Sequence, residues 1–307
     1  MIDILSEMLE YYSTQSKVTD PREQADLYED LPADIEGLCR VVQGLVIHGG
    51  LAEPVYGLQV PEDRKSEEDI RDVAQLLARV SELDPRPLMM ARPLDKRLIG
   101  HCRVSAVLFC SMLRAQNVPA RVRFGFSAYY APGFYGDHVA VECWNDAQER
   151  WVLVDQDLDN PELDQLLAEK GHPVVIDFDP RDVPRDQFIV AGKAWQMCRA
   201  GEIDPAIVGF DPSITGMGYI RGQLLFDLAS LNKYEPGEQD TWGIKAVDES
   251  ALTEDDLELL DRIASLTQSG EADFNQLQVT YFGDPRLRYT QAATDQSPSP
   301  QAGAWFD

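Results

Sequence analysis

Three residues of the types used in thiol-dependent acyl transfer follow one another near the middle of the chain: Cys102, His138 and Asp155. In such chemistry a thiolate attacks a carbonyl carbon, an imidazole moves the proton, and a carboxylate holds the imidazole in the productive orientation. The chain has four histidines, and His138 is the best placed of them to act as the base. The residue types and their order therefore predict a nucleophile, a general base and an orienting carboxylate.

Cys102 opens a segment with the periodicity of an α-helix. Its apolar residues recur three and four positions apart, at Ala106, Phe109, Cys110 and Leu113. The unpaired N–H groups and the dipole at a helix N-terminus favour a thiolate over a thiol. We expect the helix to stop near Asn117, because Pro119 disfavours helical geometry just before itself. Cys102 is therefore predicted at a helix N-terminus, and Cys110 in the core.

His138 and Asp155 fall on two predicted strands that a hairpin joins. Residues 138–144 alternate so that every second side chain, including that of His138, shares one face. Residues 151–155 are predicted to form the partner strand, with 145–150 as the connection. The separation suits two short strands and a loop, so the hairpin can bring His138 and Asp155 together.

Taken as a group, these segments resemble the transglutaminase-like superfamily over residues 95–160. The segments that carry the resemblance are Gly100-His101-Cys102, the run from Leu113 to Arg121, the run from His138 to Trp144, and Trp151-Val152-Leu153-Val154-Asp155. The resemblance is to single-chain members of the bacterial type. It implies a papain-like, transglutaminase-core α+β fold, with a catalytic helix packed on an antiparallel sheet and helical additions at both ends.

The resemblance also implies a reaction. The Cys102 thiolate would attack an amide or peptide carbonyl, His138 would give a proton to the departing amine, and the thioester would pass to water or to an amine. The expected substrate is a peptide, a protein or a small amide. Hydrolysis is favoured over transamidation, because keeping water from a thioester takes a dedicated hydrophobic tunnel that the sequence does not identify. The alternative is a binding or scaffold protein that keeps the fold and has lost turnover.

Five further residues are expected to line the cleft around the triad: His101, Tyr129, Tyr130, Trp144 and Trp151. His101 is the neighbour of the nucleophile. Adjacent residues at a helix start point away from each other, so His101 is predicted to be a wall of the cleft or to tune the thiol, and not to be the base.

Metal and nucleotide sites are not expected. No two cysteines stand in the paired spacing of a zinc site. Gly216-Met217-Gly218 lacks the third glycine of a dinucleotide-binding loop, and no Gly-Lys-Ser/Thr loop occurs. The acidic runs 67–69 and 254–256 look like helix starts and not like calcium loops. The sequence therefore predicts no metal and no cofactor.

The charge is strongly negative. The chain has 53 acidic and 27 basic residues, a formal net charge of −26. Such a surface repels nucleic acid and anionic lipid, so neither is expected as a partner. It could attract cationic partners, but a role in solubility is the favoured interpretation. Arg114, Arg121 and Arg123 lie within the predicted core segments, and we expect them to form structural ion pairs.

The cysteines and the N-terminus point to the cytoplasm. The five cysteines are scattered without the pattern of a disulfide framework, which fits a reducing compartment. The first residues lack a basic region followed by an apolar core, so no signal peptide is expected. No apolar stretch approaches the ~20 residues that a spanning helix needs. The sequence leaves the oligomeric state open.

The chain is expected to have four parts: a helical N-terminal part at 1–94, the catalytic core at 95–180, an α-rich extension at 181–289 and a disordered tail at 290–307. Caps are predicted at Asp34, Asn160 and Thr253, and a capping box at Ser66-Glu67-Glu68-Asp69. Further elements are expected as a strand at 174–178 and as helices at 186–199 and 216–231.

Overall fold

The computed structural model describes residues 4–268 and 273–290. They fall into two compact units, each made of separate stretches of chain. Unit 1 contains the described residues up to Tyr11, then Val122–Val139, and those from Pro184 onward. Unit 2 contains Tyr12–Arg121 and Ala140–Val183. The tail predicted to be disordered lies outside the described residues from position 291.

The chain is a mixed α+β protein, as predicted. Its α-helices are α1 (Ile4–Ser13), α2 (Ile35–Leu45), α3 (Gly49–Ala52), α4 (Val73–Leu83), α5 (Cys102–Ala115), α6 (Pro161–Glu169), α7 (Ala191–Arg199), α8 (Met217–Leu231), α9 (Glu254–Leu266) and α10 (Phe274–Gly283). Short 3-10 helices occupy Arg22–Tyr28, Glu62–Asp69, Leu94–Lys96, Pro205–Ile207, Gly243–Ala246 and Glu249–Ala251.

The strands are β1 (Val46–His48), β2 (Leu98–Gly100), β3 (Ala120–Ser127), β4 (Tyr135–Asn145), β5 (Arg150–Val154), β6 (Phe188–Val190), β7 (Val208–Asp211) and β8 (Ile214–Thr215). In unit 1 the strand order is β6-β3-β4-β7-β8, with β3 antiparallel to β6 and β4 parallel to β7. In unit 2 the later half of β4 pairs antiparallel with β5, and β1 pairs parallel with β2. The predicted hairpin of β4 and β5 is confirmed.

Each unit has a buried central helix. In unit 2, every residue of α5 from Cys102 to Arg114 is buried, and α5 packs against α2 and α4. In unit 1, α8 is buried all round from Ile220 to Leu231 and packs against α7, α9 and α10. A helix that is enclosed in this way needs apolar or paired residues on every face. That is why α8 shows no single apolar stripe in the sequence.

Three predicted helix caps are confirmed. The side chain of Asp34 accepts a hydrogen bond from the N–H of Gly37, at 2.7 Å, and begins α2. Asn160 caps α6 ahead of Pro161, and Thr253 forms a capping box with Asp256 at the start of α9. Such side chains satisfy N–H groups that the first turn leaves without partners.

The predicted capping box at residues 66–69 is wrong. These residues belong to a 3-10 helix, and α4 is capped instead by Asp72, whose carboxylate accepts from the N–H of Gln75 at 3.1 Å. The carboxylate of Glu67 is not free to cap a helix, because it accepts hydrogen bonds from Arg64 and Arg79. The ion pairs of Glu67 with Arg64 and Arg79 have therefore taken the place of the helix cap that the local sequence predicted.

The predicted strand at 174–178 is also wrong. Those residues form no strand, and Val175 is 81% exposed. The strand is β6, which lies where the first turn of a helix was predicted, and α7 begins only at Ala191. Phe188 and Ile189 pair with β3 and are buried. Residues 174–178 and Phe188–Val190 are both apolar, but only the second segment pairs with β3, which is distant in sequence. That pairing determines which of the two becomes a strand.

Among the described residues, no helix has both the length and the apolar character required to cross a bilayer.

Candidate active site

Cys102 is the first residue of α5, as predicted. One residue, His101, separates it from the end of β2, and the backbone of His101 is extended. Gly100 makes the tight approach possible, because a Cβ at that position would lie 3.0 Å from the side chains of Val46 and Val104. The N–H groups of Val104 and Ser105 donate to the carbonyl oxygen of His101, so the first turn of α5 closes on the residue before Cys102.

Asp155 directly follows β5 in unit 2 and is buried, with 1% exposure. Its backbone N–H donates to the carbonyl of Pro180 at 2.9 Å, and its Oδ1 accepts from the N–H of Asp157 at 3.0 Å. The side chain of Gln43 on α2 donates to the carbonyls of Gln156 and Leu158. The carboxylate is therefore held on an anchored segment, although it lies outside regular secondary structure.

His138 is the fourth residue of β4 and belongs to unit 1. The imidazole is buried and packs edge-on against aromatic rings, with centroid distances of 5.2 Å to Tyr130 and 6.3 Å to Phe188. The Tyr129 ring lies 6.5 Å from it and 4.8 Å from the ring of Tyr130. These contacts restrict the orientation of the imidazole.

The triad members thus belong to different units, with Cys102 and Asp155 in unit 2 and His138 in unit 1. Strand β4 is one uninterrupted strand that passes from unit 1 to unit 2 after Val139. The assembly of the three side chains into a triad stays a prediction at this point.

Residues 63–156 match the model of the transglutaminase-like superfamily. The chain contains a transglutaminase-like domain. The matched residues include Cys102, His138 and Asp155, and the mixed α+β structure is consistent with the papain-like fold. The superfamily generally carries out cysteine-dependent acyl transfer or hydrolysis, and it includes inactive members. No curated protein and no solved structure matches the chain.

The five predicted cleft residues have contrasting surroundings in the transglutaminase-like domain. His101 caps the backbone of α5 without a side-chain cap bond, and Tyr129 and Tyr130 surround His138. Trp144 and Trp151 are opposite partners in the pairing of β4 with β5, and both are 8% exposed. The centroids of their rings lie 5.7 Å apart, and both side chains are buried within unit 2. A role in the cleft stays a prediction for all five.

Arg121 closes the tryptophan cluster of the transglutaminase-like domain. Its guanidinium lies 4.1 Å from the ring centroid of Trp151 and donates to Glu142 at 2.6 Å. Both charged side chains are buried. Arg121 is therefore a structural ion-pair residue, as the sequence predicted.

Three thiols outside the predicted site are held in the protonated form by their surroundings. Burial raises the pKa of all three thiols. The pKa of Cys143 rises to about 12 and that of Cys198 to about 11, and the pKa of Cys39 is raised strongly as well. Nearby acidic groups add to the shift in each of the three. Because the thiolate is the reactive form, these cysteines serve as internal references for Cys102.

Sequence reasoning missed a polar group beside His138. Tyr219 of α8 donates its hydroxyl hydrogen to Oδ2 of Asp137 at 2.9 Å, and Nε2 of Gln223 donates to the hydroxyl oxygen of Tyr219 at 3.2 Å. Asp137 directly precedes His138 on β4. The sequence placed Tyr219 and Gln223 on a predicted helix at 216–231, and no local rule connects that helix with β4.

Proposed function

We propose that the chain is a thiol-dependent enzyme that cleaves or exchanges amide or peptide bonds, with Cys102, His138 and Asp155 as its catalytic triad. The observation that carries the proposal is the position of Cys102 as the first residue of a buried helix, inside the segment that matches the superfamily. The helix dipole and the N–H groups of the first turn stabilise negative charge at that end. They favour the thiolate that acyl transfer needs.

The strand register supports a partnership of His138 and Asp155. Val141 of β4 stands opposite Val154 of β5. Continuing this antiparallel register by one step sets Ala140 opposite Asp155. Opposed residues share a face, and so do residues two apart on one strand. Asp155 would then lie diagonally from His138 on the same face, within the reach that an imidazole and a carboxylate need to form a hydrogen bond.

In the proposed reaction, the Cys102 thiolate attacks the carbonyl carbon and forms a tetrahedral oxyanion. The backbone N–H of Cys102 holds that oxyanion in part. The His138 imidazolium gives its proton to the amide nitrogen, the C–N bond breaks, and an amine leaves a thioester behind. Asp155 keeps the proton-bearing nitrogen of His138 oriented throughout.

Water completes the cycle in the favoured version of the reaction. His138 takes a proton from water, the resulting hydroxide adds to the thioester carbonyl, and the C–S bond breaks to restore the thiolate. An amine in place of water would give transamidation by the same steps. Hydrolysis is favoured because transamidation requires a channel that keeps water from the thioester.

The first test is alkylation by iodoacetamide, followed cysteine by cysteine through peptide mass mapping. Cys198 is a reference of equal exposure, because it and Cys102 are both 9% exposed. Since burial raises the pKa of Cys198 to about 11, an excess of Cys102 over Cys198 is required but does not suffice, and the comparison with His138→Ala decides. We expect Cys102 to react at least about tenfold faster than Cys198 at about pH 6, well below the ordinary thiol pKa. The advantage should disappear in His138→Ala and persist in His172→Ala, which removes an exposed histidine.

Equal rates at Cys102 and Cys198 would contradict the proposed function and favour a binding protein without turnover. If Cys102 is activated, peptide amides offered with and without a primary amine separate the two reactions. Release of ammonia or amine with a free acid as product identifies hydrolysis, and incorporation of the added amine identifies transamidation.

A further inference from the structure

We propose that Tyr219 and Gln223 of α8 are positioning residues that act through Asp137 to fix the orientation of His138. This inference rests on the proposed function, because it assigns a task to residues that support its general base. It gives a role to two polar side chains in the first two turns of α8.

The three side chains form a directional series of hydrogen bonds within unit 1. Tyr219 and Gln223 are four positions apart and share one face of α8. Gln223 donates to the Tyr219 hydroxyl oxygen, and the Tyr219 hydroxyl donates in turn to the Asp137 carboxylate. A donor that is itself an acceptor becomes more polarised, which strengthens the second bond. The final acceptor is charged, and hydrogen bonds of that kind are among the strongest in proteins.

Tyr219 remains a donor over the physiological range. Burial, the Asp137 carboxylate and the Glu238 carboxylate raise the pKa of Tyr219 well above its ordinary value. The hydroxyl therefore stays protonated, and the bond to Asp137 persists wherever the enzyme is expected to work.

Asp137 is well placed to control His138 because neighbouring side chains on a strand point to opposite faces. The rings of Phe126 and Tyr219, 6.4 Å apart, lie on the side of the sheet that faces α8. His138 packs against Phe188 and Tyr130 instead. Fixing Asp137 to α8 therefore sets the rotation of β4 about its own axis, and with it the direction of the imidazole.

The hydrogen bond between Tyr219 and Asp137 lies at the point on β4 where the backbone pairing with β7 ends. The parallel pairing of β4 with β7 joins Tyr135 to Val208 and Gly136 to Gly209. This pairing ends at Gly136, the residue next to Asp137. The side chains of α8 thus hold β4 at the point where the ladder to β7 stops, immediately before the proposed base.

The test compares Tyr219→Phe, Asp137→Asn and Tyr281→Phe with the wild type in the full chain. Tyr219→Phe removes the donor to Asp137 and keeps the ring. Asp137→Asn keeps an oxygen that can accept from Tyr219. Tyr281→Phe is the matched control, because it removes another unit 1 hydroxyl, one that accepts from the N–H of Tyr289.

Two readouts are needed. The first is the imidazole NMR signal of His138, which reports its orientation whether or not Cys102 is reactive. The second is the rate of Cys102 alkylation against pH. In Tyr219→Phe we expect a shifted or broadened His138 signal and an alkylation rate about three- to tenfold lower at about pH 6, where the thiolate depends on His138. At about pH 9 the rate should match the wild type, because the thiolate then forms unaided.

Tyr281→Phe should stay within about twofold of the wild type at either pH, because it leaves the contact between Tyr219 and Asp137 untouched. Asp137→Asn should lower the alkylation rate to an extent between those of Tyr281→Phe and Tyr219→Phe, since its amide oxygen still accepts from Tyr219 but without the charge that strengthens the bond. A normal His138 signal and an unchanged profile in Tyr219→Phe would overturn the positioning role alone. Wild-type alkylation that is insensitive to His138→Ala would instead overturn the proposed function, and the positioning role with it.

Discussion

At the scale of single residues, Asp227 is a fully buried and paired charge in unit 1. It is fully buried on α8, and its carboxylate accepts from Nε of Arg123 at 2.9 Å, from Nη2 of Arg123 at 2.8 Å and from the N–H of Phe124 at 3.0 Å. Nη2 of Arg123 also donates to the carbonyl of Thr267 at 2.7 Å. The two parallel hydrogen bonds from the Arg123 guanidinium to the Asp227 carboxylate offset the free energy needed to remove both charges from water.

Asp227→Ala should therefore destabilise the fold by about 3–5 kcal/mol, because it leaves the Arg123 guanidinium buried without its counter-charge. Urea unfolding of the variant and the wild type measures the difference. Asp182→Asn is the control, since Asp182 pairs with Arg150 where both side chains are more than 40% exposed. Such exposed pairs contribute less than about 1 kcal/mol. Equal losses in the two variants would show that burial does not set the value of these pairs.

Residues with a local signature could be predicted, and those that depend on distant partners could not. Cys102 is preceded by Gly100 and followed by helical periodicity, so a short window is enough to place it. Arg123 was expected to form a structural ion pair, but nothing near it identifies Asp227 as the partner. Tyr219 and Asp137 show the same limit, because their hydrogen bond joins α8 to β4.

Among the secondary-structure elements, Glu67 joins three: its own 3-10 helix, α4 and β2, the strand that precedes α5. It lies in the 3-10 helix Glu62–Asp69 and is 3% exposed. Its carboxylate accepts from Arg64 in the same helix, from Arg79 on α4 and from the N–H of Ile99 on β2. Burial opposes ionisation, but these donors outweigh it and lower the pKa of Glu67. Because β2 ends one residue before His101 and Cys102 follows, the hydrogen bonds of Glu67 fix the strand that positions Cys102.

Glu67→Gln should destabilise the chain by about 3 kcal/mol at neutral pH, and the loss should depend on pH. The pKa of Glu67 is lower in the folded state than in the unfolded chain, where it is about 4.3. The ionised form therefore stabilises the fold above that value, and the stabilisation disappears as pH falls through the folded pKa. Urea midpoints of the two proteins should approach each other below about pH 4.

Glu82→Gln provides the comparison, because Glu82 pairs with the same Arg79 but is 66% exposed. It should cost less than about 1 kcal/mol and show little change with pH. A pH-independent loss in Glu67→Gln would mean that shape, and not charge, accounts for its contribution.

Helix ends were more predictable than strands at this scale. The caps at Asp34 and Thr253 depend on hydrogen bonds within one turn, which the sequence displays directly. Short strands such as β1, β2 and β8 have two or three residues each, too few to show alternation. Whether an apolar segment becomes a strand then depends on a partner, as Phe188–Val190 shows by pairing with β3.

For the whole molecule, the net charge of −26 acts against the compact state. Like charges brought together on folding repel one another, and salt weakens the repulsion over distances longer than the Debye length. Several exposed pairs act in the opposite direction, including Arg199 with Asp261 and Arg40 with Asp159. The buried pairs, such as Arg123 with Asp227, are screened much less.

The melting temperature should therefore rise with salt, by several degrees between about 0.02 M and 0.5 M NaCl, as the Debye length falls from roughly 20 Å to roughly 4 Å. Acidic residues outnumber basic ones about two to one, so screened repulsions outnumber screened attractions. Thermal unfolding in NaCl and in KCl measures the effect, and equal curves in the two salts separate screening from specific ion binding. A melting temperature that falls with salt would mean that the exposed pairs dominate. In that case the acidic surface would be organised as a network, and not as excess charge that serves solubility.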